Sequence, residues 1–196
     1  TSSLPKSYGH RYYTNMSVTP KISILSDQVI NKIAAGEVVE RPASVVKELI
    51  ENAIDAKSDR IFVQIKRGGR ESIVISDNGH GMTSEQAKLS LKRYATSKIK
   101  SEDDIEQIAS LGFRGEALAA IASVSKLTLT TRPIHQDEGY FIKIEYGKIV
   151  ESGAIGCPTG TSIEVSKLFY NVPARRKFLR AEQTEISHIK KTIVTQ

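Results

Sequence analysis

The sequence predicts an α+β two-layer sandwich, in which a mainly antiparallel mixed sheet carries its helices on one face. Three features predict this class: an amphipathic helix near residue 50, a strand pair directly after it, and a second group of alternating segments beyond residue 126. The 196 residues can bury one hydrophobic core, and no long Pro, Gly or Ser linker divides them. We therefore expect one domain over residues 22–196.

The first 21 residues show no periodicity and are expected to form a disordered extension or the remnant of a tag. The chain contains no run of about eighteen consecutive apolar residues, which a membrane span requires. A single cysteine, Cys157, cannot form an internal disulfide. We expect a cytoplasmic, nucleoid-associated protein.

A helix is predicted from residue 43 to residue 56, with Pro42 suited to its first position. Its apolar residues recur with a 3.6-residue period: Val45, Val46, Leu49, Ile50 and Ala53. Glu48 and Asn52 lie one turn apart on the opposite stripe, so both point into the same space. A carboxylate there could take a proton from water, and an amide oxygen could ligate Mg²⁺. An ordinary amphipathic helix with a solvated acidic face is the alternative.

A β-hairpin is predicted after this helix. Alternating residues at 61–65, a Gly-Gly turn and an apolar run at 73–75 return the chain to Asp77. The Asp77 carboxylate can accept a hydrogen bond from an adenine amino group, and Gly79 and Gly81 leave room for the base beside the backbone. A plain Asp-Asn-Gly turn is the alternative.

Two polar loops supply candidate phosphate-binding groups. Glycines at 112 and 115 precede an Ala/Leu/Ile-rich helical stretch, and free backbone N–H groups at a helix start bind phosphates. Upstream, Thr96, Ser97 and Lys98 offer two hydroxyls and an ammonium, which suit a lid that orders over a triphosphate. Either loop alone is also typical of a simple connector.

Further strands and a last helix complete the predicted fold. The alternating segments 127–131, 140–146, 148–151 and 161–165 are predicted strands separated by Pro or Gly turns. Residues 182–194 are predicted to form a helix whose isoleucines pack on the core. Helices on one face of the sheet would leave a nucleotide cleft between the two layers.

Six blocks of sequence occur in the order of one known family: residues 31–56, 77–81, 95–99, 112–118, 160–162 and 169–179. They include Glu-Asn-Ala-Ile-Asp-Ala, Asp-Asn-Gly-His-Gly, Gly-Phe-Arg-Gly-Glu-Ala-Leu and Asn-Val-Pro-Ala-Arg-Arg-Lys-Phe-Leu. From about residue 22 onward the chain resembles the ATPase domain of MutL-type DNA mismatch-repair proteins. The resemblance implies the Bergerat-type ATPase fold shared with gyrase-type topoisomerases, the large heat-shock chaperone and histidine kinases.

The resemblance also implies a role for each matching residue. Glu48 would be the general base for water, and Asn52 would be the Mg²⁺ ligand. Asp77 would read adenine with support from the Thr161 hydroxyl, and the segments 96–98 and 112–118 would form the phosphate-binding lid. The implied nucleotide-binding residues are Asn52, Asp77, Gly79, Gly81, Thr96, Ser97, Lys98, Gly112, Phe113, Arg114, Gly115, Glu116, Ala117, Leu118 and Thr161. Glu51 and Asp55 could orient these neighbours without touching the nucleotide.

The net charge of +6 is concentrated near the two ends of the chain. Between residues 167 and 196, seven basic residues stand against two acids. Among them Arg175, Arg176, Lys177 and Arg180 could neutralise DNA phosphates weakly, without reading bases. A solvated basic face is the alternative.

The resemblance further implies what accompanies this domain. A transducer domain would follow and contribute a lysine to the terminal phosphate, and a C-terminal domain would dimerise the protein; both are expected to lie outside this chain. The implied partners are mismatch-recognition and downstream repair proteins, with an ATP-dependent dimer in the longer protein and a monomeric fragment. Without the lysine, we expect ATP binding to be stronger than turnover.

The leading hypothesis is Mg²⁺-dependent ATP binding and slow hydrolysis in mismatch repair, with nucleotide-controlled lid ordering and dimerisation. The alternative is an ATP-gated binding or matchmaker module with negligible turnover. A histidine kinase or topoisomerase fragment is disfavoured, because the kinases lack the Glu-Asn-Ala-Ile-Asp-Ala continuation and the topoisomerases lack the Asn-Val-Pro-Ala-Arg-Arg block.

Overall fold

Six strands form one sheet in the computed structural model of the chain, which describes residues 23–93 and 115–196. The strands are β1 (Ile61–Lys66), β2 (Ser72–Asp77), β3 (Lys126–Arg132), β4 (Gly139–Glu145), β5 (Lys148–Ile155) and β6 (Gly160–Ser166). Their order across the sheet is β1-β2-β6-β3-β4-β5, and each neighbouring pair is antiparallel. The predicted hairpin and the later strands are confirmed.

The described helices are α1 (Asp27–Val38), α2 (Pro42–Asp55), α3 (Ser84–Leu89), α4 (Ala117–Ser123), α5 (Pro173–Phe178) and α6 (Glu182–Val194). Proline occupies the first position of α2, as the sequence predicts, and α6 has the predicted bounds. A capping box starts α3: the Thr83 hydroxyl accepts from the Gln86 N–H, and the Gln86 side chain accepts from the Thr83 N–H. None of the described helices combines the length and the apolar character needed to cross a membrane.

The core lies between the helices and one face of the sheet. Along β3, buried residues alternate with half-buried ones, so every second side chain enters the core. On the helix side of the core, α2 contacts β2 and buries Val45, Val46 and Leu49 on one side of the helix. Burial of each such side chain contributes about 1.5–3 kcal/mol relative to leaving it in water. The predicted two-layer α+β sandwich is confirmed.

Strand β5 forms one edge of the sheet and is exposed along nearly its whole length. Its residues Ile149 and Val150 are 57% and 56% exposed. The Lys143 ammonium on β4 lies 2.6 Å from the Glu151 carboxylate and links the edge strand to its neighbour. Charged side chains therefore flank the exposed apolar residues of this edge.

One arginine joins the first helix to the C-terminal part of the fold. Nη1 of Arg175, on α5, donates hydrogen bonds of 3.0 Å to the Ala35 and Val39 carbonyl oxygens at the end of α1. The Ala35 carbonyl also accepts the Val39 N–H at 2.9 Å, whereas the Val39 carbonyl lies past the last helical residue, where helix ends leave carbonyls without intrahelical partners. A cation at this end also complements the helix dipole. The guanidinium lies over the buried Phe169 ring and against Gly36, where any side chain would clash with it. Arg175 is therefore a structural cap for α1.

Replacing this arginine is expected to lower the free energy of unfolding. Arg175→Ala removes two hydrogen bonds from a charged donor, so we expect a loss of about 2 kcal/mol in urea unfolding. Lys177→Ala, on the exposed side of the same helix, is the matched control and should change stability by less than about 0.5 kcal/mol. Equal losses in the two variants would contradict the capping role.

Candidate functional site

Three polar side chains lie side by side across adjacent strands. The register pairs Asp77, at the end of β2, with Thr161 on β6, and it pairs Thr161 with Thr131 on β3. Two positions further into each strand the residues are Ile75, Ile163 and Leu129, all buried in the core. Because alternate residues share a face, the polar row of Asp77, Thr161 and Thr131 lies on the helix-facing side of the sheet. It forms a polar rim to the core.

The Asp77 carboxylate is held by two backbone hydrogen bonds. Its Oδ1 atom accepts from Gly79 N at 2.8 Å and from Thr161 N at 3.3 Å. Within the described residues both bonds fall on Oδ1, so Oδ2 is the oxygen that remains for an incoming donor. Burial raises the pKa of Asp77 above its ordinary value of 3.8, while the two N–H groups and the nearby His80 act in the opposite direction.

The loop that follows β2 packs tightly against the end of α2. A Cβ on Gly79 would lie 2.6 Å from the Ala56 carbonyl oxygen, and the His80 N–H donates to the same oxygen at 2.9 Å. Gly81 has a φ of +66° and lies against the backbone at the end of β3, where a side chain would clash. The sequence predicts these glycines as room for a base. The structure shows a packing role for both glycines: Gly79 lets the loop after β2 pack against the end of α2, and Gly81 lets it pack against the end of β3.

The polar stripe of α2 leads to this loop. Asn52 is exposed and lies one turn before Ala56, whose N–H donates to the Asn52 carbonyl at 3.0 Å. Glu48 is half-buried one turn earlier on the same side of the helix. The predicted base and the predicted metal ligand thus share the stripe that ends at the loop carrying Asp77.

Glu51 does not belong to a solvated acidic face. It is only 9% exposed, and its Oε1 lies 3.2 Å from the Lys47 ammonium one turn earlier. Neither carboxylate oxygen has a partner with hydrogen-bond geometry in the described part of the chain. The ion pair offsets part of the cost of burying this charge. A simple solvated acidic face is therefore a poor description of α2.

In the segment around α4, the predicted lid residues Glu116 and Leu118 have structural contacts through their side chains, and the backbone N–H groups are the candidates for binding phosphate. Arg93 Nε donates to Oε1 of Glu116 at 3.1 Å, and Leu118 belongs to the hydrophobic core. Neither side chain is thus placed as a phosphate ligand. The groups suited to phosphate are the N–H groups of Ala117 and Leu118 in the first turn of α4, preceded by Gly115 with a φ of +60°. The other predicted lid residues lie outside the described residues: Thr96, Ser97, Lys98, Gly112, Phe113 and Arg114.

The four predicted DNA-contacting residues fall into two groups. Arg175 caps α1, so its guanidinium is engaged in the fold rather than available to phosphate. Arg176 is exposed, and its guanidinium lies 3.8 Å from the centre of a tyrosine ring. Lys177 and Arg180 line an open pocket of about 540 Å³ together with the exposed Phe178. The basic surface therefore consists of Arg176, Lys177 and Arg180.

Two residues at the site are not predicted by the sequence. Thr131 directly follows the alternating segment 127–130, and only the strand register distinguishes it by placing it beside Thr161. Arg93 is joined to Glu116 across 23 residues, so no local pattern connects them. Both contacts depend on tertiary structure. The register of β3 against β6 is the feature that identifies Thr131.

Comparisons with known proteins identify the family of this chain. Residues 40–173 match the family model described as histidine kinase-, DNA gyrase B-, and HSP90-like ATPase. The chain therefore belongs to this family of ATPases. Membership defines its class as an ATPase-type nucleotide-binding domain.

Within this family, the chain is similar to the DNA mismatch repair protein MutL. MutL of Acidobacterium capsulatum is 57% identical over 169 residues, which are 86% of this chain and 25% of that protein. MutL of Syntrophotalea carbinolica is 53% identical over 176 residues, or 90% of this chain and 28% of that protein. The chain spans about a quarter of the length of these relatives.

Solved structures give the same result. The Aquifex aeolicus MutL ATPase domain complexed with ADP is 38% identical with a TM-score of 0.62, covering 80% of this chain and 54% of that chain. The N-terminal domain of a DNA repair protein is 31% identical with a TM-score of 0.66, covering 87% of this chain and 49% of that chain. The predicted resemblance to the N-terminal ATPase domain of MutL-type proteins is confirmed.

The burial of Asp77 predicts a dependence of stability on pH. Between pH 3.8 and the raised pKa, the folded protein holds a proton that the unfolded chain has lost, so stability falls as the pH rises through this window. Asp77→Asn keeps an oxygen for both N–H donors and removes the charge. The parent should lose stability as the pH rises through the window, whereas Asp77→Asn lacks this titrating group. The free energy of unfolding of the variant minus that of the parent should therefore increase across the window and then remain constant. Urea unfolding from about pH 3 to pH 7.5 measures this difference.

The matched control is Asp137→Asn, the same change at an exposed position. It should leave the free energy of unfolding close to that of the parent at each pH. A stability difference for Asp77→Asn that does not vary with pH would contradict the cause assigned to the raised pKa.

Proposed function

We propose that this chain binds ATP with Mg²⁺ and hydrolyses it slowly, as the nucleotide domain of a MutL-type mismatch-repair protein. The observation that carries the proposal is the position of the Asp77 carboxylate. It ends a strand whose following loop is bonded to the end of α2, and the stripe of that helix carries Asn52 and Glu48. Family membership supports the proposal, and the similar Aquifex aeolicus domain was solved as a complex with ADP.

Adenine would be read at the Asp77 end of this site. Its amino group would donate to Oδ2, because Oδ1 already accepts from Gly79 and Thr161. An ionised carboxylate only accepts hydrogen bonds, so it favours an amino group over a carbonyl oxygen at this place. The Thr161 hydroxyl, next in the polar row, would support the same edge of the base.

Phosphates and Mg²⁺ would lie further along α2. Asn52 offers an exposed amide oxygen, and Mg²⁺ takes oxygen ligands while keeping waters and phosphate oxygens. In residues 23–93 and 115–196, no cluster of three or more His, Cys, Asp or Glu could hold a metal. This donor set fits an ion held between one side chain and the nucleotide, rather than in a protein cage. The N–H groups that start α4 would contact phosphate, with segments 96–98 and 112–114 as further proposed contacts.

Glu48 would act as the general base. It lies one turn from Asn52 on the same side of α2, where a carboxylate can take the proton of the water that attacks the terminal phosphate. Bound Mg²⁺ would supply neutralisation of the phosphate charge. The resemblance assigns the cation for the terminal phosphate to a following domain. We therefore propose that binding by this chain is stronger than turnover.

The remaining functions concern the longer protein. ATP would order the lid and bring two copies together, while this chain alone would be a monomer. Mismatch-recognition and downstream repair proteins would respond to the nucleotide state. A transducer domain and a C-terminal dimerisation domain would follow the nucleotide domain at residues 22–196.

Calorimetric titration with ATP, with and without Mg²⁺, tests the nucleotide site. Asp77→Asn is expected to weaken ATP binding by about 100-fold, because its amide presents a donor to the adenine amino group. Asn52→Ala is expected to retain metal-free binding and to lose the gain that Mg²⁺ provides. Gln183→Ala removes an amide from an exposed position on α6 and is the matched control, which should bind like the parent.

Turnover measured with Glu48→Gln completes this test. The variant should bind ATP within about threefold of the parent and hydrolyse it about 100-fold more slowly, because the general base is lost. Residual turnover that is unchanged in Glu48→Gln would favour the ATP-gated matchmaker with negligible catalysis. A parent chain that binds no ATP would overturn the proposal itself.

Weak DNA contact is proposed for the exposed basic surface of Arg176, Lys177 and Arg180. Arg176 stacks on Tyr170, which holds its guanidinium in place, and Phe178 is 82% exposed beside these cations. Basic side chains on an open surface bind phosphates of any sequence, so the affinity should depend strongly on salt. The alternative is a solvated basic face with no partner.

The salt dependence of duplex binding tests this surface. Lys177→Ala/Arg180→Ala should weaken binding and reduce the magnitude of the slope of log affinity against log salt by about 2, since each phosphate contact contributes about 0.9. Lys190→Ala/Lys191→Ala removes the same charge from exposed positions on α6 and is the matched control. Equal slope changes in both double variants would show an effect of net charge alone. Absence of any duplex binding by the parent would leave the solvated-face interpretation.

A further inference from the structure

We propose that Thr131 is a positioning residue, which orients the hydroxyl proton of Thr161 and thereby makes the base site selective for a 6-amino purine over a 6-oxo purine. The proposal rests on the ATP site proposed above and deepens it. Thr131 acts through Thr161 and needs no contact of its own with the base. The observation behind it is the hydrogen-bond arrangement around one buried hydroxyl.

The Thr131 hydroxyl has three polar neighbours. The residue is 1% exposed, and its Oγ1 accepts the Met82 N–H at 2.9 Å. The same atom donates to the Gly160 carbonyl oxygen at 3.0 Å and lies 3.0 Å from Oγ1 of Thr161. The hydroxyl thus joins Met82, in the loop that follows Asp77, to Gly160 and Thr161 at the start of β6, the strand that pairs with Asp77.

Counting protons gives the direction of the bond between the two threonines. A hydroxyl has one proton and two lone pairs. The Gly160 carbonyl can only accept, so it takes the Thr131 proton, and the Met82 N–H occupies one of the two lone pairs. The other lone pair accepts from Thr161. The Thr161 proton is therefore directed at Thr131, and the Thr161 oxygen offers only acceptor sites to a ligand.

This arrangement places two acceptors next to each other in the polar row. They are Oδ2 of Asp77 and Oγ1 of Thr161, on residues that pair directly across β2 and β6. The 6-amino group of adenine carries two N–H donors, which suit two acceptors. The 6-oxo group of hypoxanthine carries lone pairs that would face both acceptors unfavourably. A site whose buried polar groups are left unpaired rejects such an analogue strongly.

Loss of the Thr131 hydroxyl would release this constraint. In Thr131→Val, the Thr161 hydroxyl has no acceptor in that direction and can turn its proton towards a 6-oxo group. Binding of ATP would change little, while binding of inosine triphosphate would improve. A purely structural role would lower stability, through the unpaired Met82 N–H, without changing the preference between the two nucleotides.

Titration of ATP and inosine triphosphate against the parent chain and two variants tests the proposal. The parent should prefer ATP, and Thr131→Val should reduce that preference about 10-fold. Thr131→Ser restores the hydroxyl and should keep the parent preference within about twofold. An unchanged preference in a folded Thr131→Val, or equal binding of the two nucleotides by the parent, would overturn the proposal.

The partner residue provides a second test that does not require Thr131→Val to fold. Thr161→Val, at a half-buried position, removes the hydroxyl through which Thr131 acts, so it should also lower the preference for ATP. An unchanged preference in this variant would overturn the proposal by itself. In the Thr161→Val background, Thr131→Val should produce no further change in preference, and a further change would contradict action through Thr161. By contrast, a parent chain that fails to bind ATP would overturn the proposed function.

Discussion

The contact between the loop after β2 and the end of α2 sets the geometry of the site. Gly79 leaves no space for a side chain against Ala56, and the His80 N–H is bonded to the carbonyl oxygen of that residue. Because this carbonyl belongs to the end of the helix, a helix terminus and a strand terminus are held in one arrangement. Asp77 and the polar stripe of α2 consequently share a rigid frame. Fixed relative positions matter here, since much of the advantage of an enzyme site comes from positioning.

The parts of the fold that local patterns encode were predictable from the sequence. The 3.6-residue period of α2 and α6 and the alternation of the strands each lie within one element, so their bounds follow closely from residue order. Glu48, Asn52 and Asp77 could be suggested as nucleotide-site residues because several motifs occur together. Their individual roles stay predictions.

Other features depend on contacts that no local pattern contains. Arg175 and Arg176 are adjacent and chemically identical, yet the first caps α1 and the second faces solvent over Tyr170. Only the path of the chain around α5 separates them. Thr131 acquires its place from strand register, and Glu51 is buried although it lies on the polar side of its helix. In each case tertiary packing decides the environment of the side chain.

One half-buried carboxylate and one fully buried carboxylate are held in the same way, by a backbone N–H on one oxygen, but differ in their surroundings. Asp77 accepts backbone N–H groups on one oxygen at the polar rim of the core. Glu185, which is fully buried, likewise accepts the Arg180 N–H on Oε1 at 2.9 Å, and within the described residues its Oε2 has no partner. The enclosed carboxylate fastens the turn that leads into α6. The carboxylate at the rim leaves Oδ2 for the proposed adenine contact, so location rather than bonding pattern distinguishes the two.

The exposed edge strand has a consequence for the behaviour of the protein in concentrated solution. Among residues 23–93 and 115–196, strand β5 has no neighbouring strand on its outer side beside Ile149 and Val150, and a second chain could add to such an edge. Lys148 and Glu151 flank these residues, and charges at such positions hinder edge-to-edge pairing because the partner chain would have to desolvate them. Neutralising the two flanking charges would turn this edge into a nucleus for self-assembly into extended β-structure, without altering the nucleotide site.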